Sequence, residues 1–214
     1  YTPARVRALR AGDAVTVPPF GVDVGERSPR PAMLVAVGVH ALGDTSGPLL
    51  GWFDVRVDPA AEYAGLFAAG HLGTTGEILL FDSAGTLLSD SRFEEELRRT
   101  GLLQRDGAER AALNMRLADP GGDLLGGHPP VGAPQDWPLT TAVASAVAGD
   151  SGTNVDGYRN YLGRMAVGAW RWYPRAGIGL VAEQGHAEAY APLLLLRRAF
   201  GVLLTLLGLG ALLI

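Results

Sequence analysis

The last sixteen residues constrain the fold of this chain more than any other stretch. "AFGVLLTLLGLGALLI", residues 199–214, carries no charge, and Thr205 is its one polar side chain. A helix that crosses a membrane needs ~20 mainly apolar residues, and this run ends only where the sequence ends. Its glycines would weaken a helix in water but suit close packing in lipid. The run predicts a truncated transmembrane helix; a buried C-terminal core helix is the alternative.

The remaining sequence has the composition of a folded domain and excludes several kinds of chemistry. Apolar residues make up 48% of the 214, the net charge is −4, and no basic run occurs, so nucleic acid is not an expected partner. The absence of cysteine excludes disulfides and thiolate chemistry. The histidines lack the spacing of metal ligands, so neither a metal nor a cofactor is predicted. They are His40, His71, His128 and His186.

The first part of the chain reads as a hairpin followed by a helix. Two β-rich runs, residues 31–42 and 47–58, flank the turn sequence "GDTSG". Apolar and polar side chains alternate in the second run, which predicts a strand with one buried face. "DPAAEYAGLFAAG" then predicts a helix that Asp58 caps and Gly70 closes.

The second part reads as a hairpin, two helices, a three-stranded meander and an exit helix. "GEILLFDSAGTLLSD" predicts strands over residues 78–82 and 86–89, and "SRFEEELRRTG" predicts a helix capped by Ser91. "LTTAVASAVAG" predicts a short helix, and "GYRNYLG", "MAVGAWRWYP" and "IGLVAEQ" predict the meander. The exit helix "HAEAYAPLLLLRRAF" should kink at Pro192. The order predicts an α+β fold with an antiparallel sheet of about five strands and helices on one side.

Two stretches carry a resemblance to a known family. "LGTTGEILLFDSAGTLLSDSRFEEELRRTGLL", residues 72–103, resembles the opening hairpin and helix of a Cache domain, the extracellular PAS-like sensor of bacterial receptors. "DGYRNYLGRMAVGAWRWYPRAGIGLVAEQGHAEAYAPL", residues 156–193, resembles its closing strands and exit helix. The stretch before them resembles the last hairpin of a membrane-distal Cache subdomain, without that subdomain's long N-terminal helix and first strands.

The resemblance implies three segments and a receptor function. Residues 1–57 would be the C-terminal part of a distal subdomain, 58–187 a membrane-proximal subdomain, and 188–214 the exit helix and the start of the transmembrane helix. Residues 1–198 would lie outside the plasma membrane and bind a small molecule, without being an enzyme. A homodimer is expected. The exit helix would pass the signal to a kinase, cyclase, phosphatase or chemotaxis module that these residues do not include.

Six side chains are candidates for the ligand pocket: Arg92, Tyr158, Tyr161, Trp170, Arg171 and Trp172. On one strand, Trp170 and Trp172 should share a face opposite Arg171 and Tyr173. Tyr158 and Tyr161 should lie on opposite faces of the preceding strand. Aromatic and Arg side chains often line pockets for polar ligands, and an arginine binds a carboxylate through two hydrogen bonds. Alternatively, one face of this set packs the core, and Arg92 pairs with Asp82 or Asp90.

"GDSGTN", residues 149–154, contains the core of the nucleophile loop of trypsin-like serine proteases. His71 precedes it and carboxylates lie between, as in the order of that catalytic triad. However, Thr153 and Asn154 replace the Gly-Pro that usually follows, and the strands are too few for two barrels. "GTNVDGY" likewise lacks oxygen ligands at the first and twelfth positions of a calcium loop. A polar turn is predicted. A membrane-anchored hydrolase using Ser151 and a structural or partner-binding ectodomain are the alternatives.

Overall fold

The structure, a computed structural model, describes residues 2–22, 30–43, 45–58, 62, 73–104, 109–129 and 131–212. Runs of consecutive strands are separated by helices along these residues, which is the predicted α+β arrangement. The elements are α1 (Pro3–Arg10), β1 (Val15–Val22), β2 (Arg30–His40), β3 (Leu49–Val57), β4 (Glu77–Phe81), α2 (Glu94–Thr100), α3 (Thr141–Val147), β5 (Gly152–Arg159), β6 (Met165–Tyr173), β7 (Ile178–Gly185), α4 (His186–Ala189) and α5 (Ala191–Leu212).

The N-terminal elements form a three-stranded antiparallel sheet in the order β1-β2-β3. The predicted β2–β3 hairpin is confirmed, with Met33 opposite Val57 and Gly38 opposite Trp52. The expected buried face of β3 is wrong for the described residues, since Phe53 is 62% exposed and Val55 48%. The small core of this sheet lies instead under α1, where Leu9 packs among β1 and β2 side chains.

Two N-terminal elements, α1 and β1, were not predicted from the sequence. The side-chain oxygen of Thr2 accepts a hydrogen bond from the Arg5 N–H at 3.4 Å and caps α1, and a proline follows it at the first helical position. In β1 the pairing with β2 shifts register between Val17 and Phe20. The two prolines between them have no N–H to donate to a neighbouring strand. They therefore interrupt both the ladder and its sequence pattern.

The second sheet has the order β4-β7-β6-β5, and each neighbouring pair is antiparallel. The meander β5–β6–β7 is confirmed. The predicted return strand over residues 86–89 forms one bridge to β4, Phe81 with Leu87. Its two bonds run from the Leu88 N–H to the Leu80 carbonyl at 2.7 Å and from the Asp82 N–H to the Thr86 carbonyl at 3.0 Å. On one face of the sheet, side chains of α2 and α3 complete the main core. Its largest members are Tyr161, Phe81, Leu79, Leu87, Leu97, Leu117, Leu162, Val143 and Val181.

Helix α2 begins two residues later than the capping pattern predicts, because its N-cap is Phe93 rather than Ser91. The Phe93 side chain makes no capping hydrogen bond. The Ser91 hydroxyl accepts a bond from the Phe93 N–H at 2.9 Å but is otherwise engaged with buried side chains described below. The end of the helix is as predicted, since Gly101 adopts the left-handed conformation with φ 80°.

The helix predicted over residues 58–70 lies almost wholly outside the described residues. One hydrogen bond within it is described, from the Glu62 N–H to the Asp58 carbonyl at 3.0 Å. This i to i+4 bond is the spacing of an α-helix.

Strand β7 leads directly into the two exit helices. The break between α4 and α5 lies at Tyr190, two residues before the expected kink at Pro192. A proline ring clashes with the carbonyl four residues back, here that of Glu188, so the disruption falls in the turn before the proline. Residues 191–211 of α5 have a mean hydropathy of 1.8, and α5 is long and apolar enough to cross a membrane.

Candidate functional site

A pocket of about 410 Å³ opens at the end of the second sheet that lies next to the exit helices. Its walls come from the start of β4, the end of β7, the β5–β6 turn, a loop segment at Asp123, and α4. The lining residues are Thr75, Glu77, Phe93, Asp123, Asn160, Leu162, Gly163, Arg164, Met165, Glu183, Gln184, Gly185, Ala187 and Glu188. Residues of β4, β7 and α4 thus line one cavity.

Two buried glutamates lie directly opposite each other in this wall. Glu77 on β4 pairs with Glu183 on β7, and the two side chains are 5% and 4% exposed. The next pair along the same face is Leu79 with Val181, which belong to the main core. Residues directly opposite in an antiparallel pair lie within contact distance, and like charges there repel. This acid pair, Glu77 and Glu183, is the most unusual feature of the molecule.

The hydrogen bonds of Glu77 come from two buried hydroxyl groups. The Tyr161 hydroxyl donates to Oε1 at 2.5 Å, and the Ser91 hydroxyl donates to Oε2 at 3.2 Å. Ser91 and Tyr161 also contact each other at 2.7 Å. The three side chains form one buried network.

Glu183 is less well satisfied. The Tyr158 hydroxyl donates to its Oε1 at 2.8 Å, while Oε2 is buried and has no hydrogen-bond partner among the described residues. The Asn160 side chain approaches Glu183 closely enough to lower its pKa by hydrogen bonding, but it does not reach Oε2 with the geometry of a full hydrogen bond. A Cβ at Gly168 would lie 2.5 Å from the Tyr158 hydroxyl, so glycine at this position leaves the tyrosine room to reach the glutamate.

Burial dominates the titration of these groups. It raises the pKa of Glu77 to about 7, against hydrogen bonds from Tyr161 and Ser91 that lower it. Burial likewise raises the pKa of Glu183 to about 7, opposed by the Tyr158 bond and reinforced by the charge of Glu77. Burial and the neighbouring carboxylates raise the pKa of both tyrosines above the usual range, so both hydroxyls remain donors. Near neutral pH the acid pair is therefore partly protonated.

The β5–β6 turn forms a rigid side of the pocket. The Asn160 Oδ1 accepts bonds from the backbone N–H groups of Leu162 and Arg164 at 3.1 and 3.0 Å. Gly163 has φ 77°, and a Cβ there would lie 1.8 Å from the Gly122 carbonyl oxygen, so only glycine fits. Arg164 then reaches Asp123 across the rim at 3.3 Å.

Glu188 ties α4 to the segment that precedes β4. Its carboxylate accepts the backbone N–H groups of Thr74 and Thr75 at 2.7 and 2.8 Å, together with both threonine hydroxyls. These hydrogen bonds, led by that of the Thr75 hydroxyl, lower the pKa of Glu188 to about 2. The carboxylate is therefore ionised at physiological pH and holds α4 against one edge of the sheet.

Tyr190 ties the same helix to the opposite edge. Its hydroxyl donates to the Val155 carbonyl on β5 at 2.7 Å, and its ring stacks on His186 at 4.6 Å between centroids. Strands β4 and β5 are the two edges of the second sheet. The exit helices are therefore attached to both edges.

The six predicted pocket residues do not line this cavity. Tyr158 and Tyr161 both lie in the main core, and their hydroxyls donate hydrogen bonds to the acid pair. The expectation that they occupy opposite faces is therefore wrong. Tyr161 lies beyond the end of β5, in the turn, where strand alternation no longer applies. Arg92 donates to the Gly76 carbonyl at 2.6 Å rather than to Asp82 or Asp90, because Asp90 is paired with Arg110.

The remaining predicted residues follow the alternation expected for β6. Trp170 and Trp172 pack against the main core, and the Trp170 indole N–H donates to the Ser145 hydroxyl at 3.0 Å. Arg171 is exposed on the other face and lies 5.5 Å from the centre of the Tyr173 ring. The tryptophans therefore match the alternative interpretation of the sequence, in which one face of this set packs against the core. A ligand contact by any of the six remains a prediction.

"GDSGTN" spans the end of a turn and the start of β5. Gly149 has φ 99°, Ser151 is exposed, and Gly152 begins the strand. His71, the partner of Ser151 in the hydrolase alternative, lies outside the described residues, and no described histidine hydrogen-bonds to this serine. Within the described ranges there is also no cluster of three or more His, Asp or Glu that could hold a metal ion.

Sequence reasoning missed both members of the acid pair, although the pattern contained a signal for them. Glu77 alternates with Leu79 and Phe81 in "EILLF", and Glu183 alternates with Val181 in "VAE". A carboxylate in phase with the apolar face of a strand is predicted to be buried. Buried carboxylates with shifted pKa values cluster at functional sites.

The chain thus combines an α+β domain, a pocket at one end of its sheet, and an exit helix of membrane-spanning length. No protein-family model and no curated protein matches it. It is similar in structure to the extracellular domain of a proposed histidine kinase, mmHK1S-Z3 (TM-score 0.49, 14% identity, 84% of this chain and 52% of that one).

Two chemoreceptor domains are similar as well. One is the periplasmic sensory domain of Campylobacter jejuni Tlp1 (TM-score 0.49, 12% identity, 87% of this chain and 56% of that one). The other is the ligand-binding domain of Pseudomonas aeruginosa PctB in complex with L-Arg (TM-score 0.42, 14% identity, 93% of this chain and 62% of that one). The chain spans about half the length of the first two structures.

Proposed function

We propose that this chain is the ligand-sensing region of a membrane receptor, with residues 1–198 outside the plasma membrane. The observation that carries the proposal is the position of the pocket. Ala187 and Glu188 of α4 line it together with Glu77 and Glu183 of the sheet. A ligand that changes the shape of this cavity therefore acts directly on α4, and α4 continues after Tyr190 into the apolar helix α5.

The proposed signal is a change in the population of two arrangements of the exit helix. A ligand shifts such an equilibrium only by its difference in affinity for the two arrangements. The bonds of Glu188 to Thr74 and Thr75, and of Tyr190 to Val155, define the arrangement described here. Pairing of two chains through α5 would give each helix a partner to move against, and a kinase, cyclase, phosphatase or chemotaxis module would receive the movement.

A distance measurement on the full chain tests this proposal. Because the chain has no cysteine, Arg171→Cys and Leu195→Cys create two unique sites for spin labels, one on an exposed position of β6 and one on α5. In lipid nanodiscs, a bound ligand should change the distribution of distances between the labels. The same experiment with Glu188→Gln should give a smaller change. A ligand that binds the pocket and leaves the distribution unchanged would contradict the signalling role.

The side of the membrane is tested with a single Arg171→Cys variant in intact cells. A maleimide that cannot cross membranes should label it without permeabilisation. Labelling only after permeabilisation would place the domain inside the cell. The hydrolase alternative is tested by comparing ester and peptide turnover of the native chain with that of Ser151→Ala, since a serine nucleophile is required for that activity.

A further inference from the structure

The pocket that the proposed function uses has an excess of negative charge. Four of its lining residues are acids, namely Glu77, Asp123, Glu183 and Glu188, and one, Arg164, is basic. Arg164 is already paired with Asp123. A concave site lined by one sign of charge concentrates ions of the opposite sign.

The deepest of these acids lack a cationic partner among the described residues. No described ion pair within 4.0 Å includes Glu77 or Glu183. Arg92 is the nearest basic group to favour the ionised form of Glu77, but its Nη1 is bound to the Gly76 carbonyl at 2.6 Å. Buried charges in proteins are normally paired.

Hydrogen-bond accounting shows that Glu183 is the acid with an unsatisfied acceptor. Both oxygens of Glu77 accept bonds from hydroxyls, and Oε1 of Glu183 accepts one from Tyr158. Oε2 of Glu183 has none among the described residues. An unsatisfied buried acceptor destabilises a structure unless a donor reaches it, and a donor that carries a positive charge makes the stronger bond.

We propose that this pocket binds a small organic cation, an amine or guanidinium compound, whose N–H groups donate to Glu183 and neutralise the acid pair. This inference rests on the proposed function, since it names the ligand class for the same cavity. Phe93, Leu162 and Met165 supply apolar lining for the carbon chain of such a ligand. A volume of about 410 Å³ lies within the range of small-molecule sites.

Binding is coupled to the release of a proton. Burial keeps the acid pair partly protonated near pH 7, and an incoming cation replaces that proton, which leaves to solvent. The other titratable groups around the pair do not compete for this role. Tyr158 and Tyr161 stay protonated, and Glu188 stays ionised. Affinity for the cation should therefore rise with pH through about 7.

Calorimetry with a matched set of four-carbon probes tests the inference on the full chain in detergent. The cations are butylamine and agmatine, which share a four-carbon chain, and the uncharged and anionic counterparts of butylamine are 1-butanol and butyrate. Titrations in two buffers of different ionisation enthalpy measure the protons released. We expect binding of the cations only, proton release at pH 6.5, and at least tenfold weaker binding to Glu183→Gln, which keeps the shape of the side chain and removes its charge.

Glu96→Gln is the matched control, because Glu96 lies on α2 in an ion pair with Arg99 and outside the pocket. It should bind the cations as the native chain does. Glu77→Gln provides a second test if Glu183→Gln fails to fold by circular dichroism, and it should also weaken binding.

The outcomes separate this inference from the proposed function. Binding of butyrate without binding of either cation, no binding of either cation, or equal cation affinity in the native chain and both pocket variants contradicts the cation inference. None of these results bears on the receptor proposal, which is tested separately by the spin-label distances. Cation binding that depends on Glu183 but does not change the spin-label distances supports the inference and contradicts the signalling role.

Discussion

The chain should lose stability as the pH rises from 5 to 8, and replacing Glu183 with glutamine should make this loss smaller. Burial raises the pKa of this carboxyl in the folded state to about 7, from a usual value of 4.5. Between those two values the folded state binds more protons than the unfolded state, so the free energy of unfolding falls as the pH rises. Glutamine does not titrate, and its amide oxygen still accepts the Tyr158 hydrogen bond.

The size of the effect follows from the two pKa values. A difference of one pKa corresponds to about 1.4 kcal/mol, so the change from 4.5 to about 7 corresponds to on the order of 3 kcal/mol. For a chain of this length, 1 kcal/mol shifts the unfolding midpoint by ~2–4 °C. Between pH 5 and pH 8 the unfolding midpoint of the native chain should therefore fall by roughly 6–12 °C more than that of the variant.

Tryptophan fluorescence of the full chain in detergent is a suitable readout of this difference. Trp137 is 6% exposed, and Trp170 and Trp172 pack against the main core that lies beside the acid pair. The window from pH 5 to pH 8 also avoids the titration of Glu188, whose pKa is lowered to about 2. The measured quantity is the change in midpoint with pH, native minus variant, so effects of pH on groups that do not interact with Glu183 cancel.

The control for this experiment is Glu96→Gln, which removes one carboxylate from a partly exposed ion pair on α2. Its midpoint should follow that of the native chain across the window. If Glu183→Gln also followed the native chain to within about 1 °C, against the ~6–12 °C expected, the carboxyl would not carry a raised pKa. The acid pair would then be better solvated than its burial indicates.

Three further predictions concern stability. Gly168→Ala places a Cβ 2.5 Å from the Tyr158 hydroxyl, and it should lower stability by about 1–3 kcal/mol in denaturant titrations; an unchanged midpoint would contradict the packing. Glu188→Gln should flatten the fall in melting temperature from pH 5 to pH 2, because stability from a carboxylate with a lowered pKa is lost as the pH falls. Leu97→Ala, at a fully buried position, should lower stability by about 2–5 kcal/mol, whereas Val155→Ala at a 61% exposed position should change it little.

The second sheet could be predicted from the sequence because its signals are local. The meander β5–β6–β7 has tight turns and β-rich runs, and the end of α2 has a glycine at the position that needs a left-handed conformation. Strand β1 was missed because two adjacent prolines remove the donors that a ladder requires, and β-propensity rules then disfavour a strand. Here the strand pairs on both sides of the prolines with a shifted register.

The candidate site was harder to predict because its chemistry depends on register. The aromatic residues of the meander drew attention as pocket candidates, yet burial and hydrogen bonds assign Tyr158 and Tyr161 to support of the acid pair. That Glu77 and Glu183 lie directly opposite each other follows from the pairing of β4 with β7, strands about 100 residues apart in sequence. No local pattern specifies such a pairing, although each glutamate alone could have been predicted to be buried.

In the proposed receptor, the position of the acid pair relative to the exit helix would link ligand chemistry to movement. An unoccupied, ionised pair has two like charges on facing strands, which favours separation of β4 from β7. A proton or a bound cation removes that repulsion. Strand β7 runs into α4 without a linker, and Glu188 of α4 holds the segment just before β4. A change in the spacing of β4 and β7 therefore alters both attachments of α4 on that edge, while Tyr190 fixes the helix to β5. With one edge fixed and the other responsive, the expected motion of α5 is a rotation about the Tyr190 contact rather than a displacement along its axis.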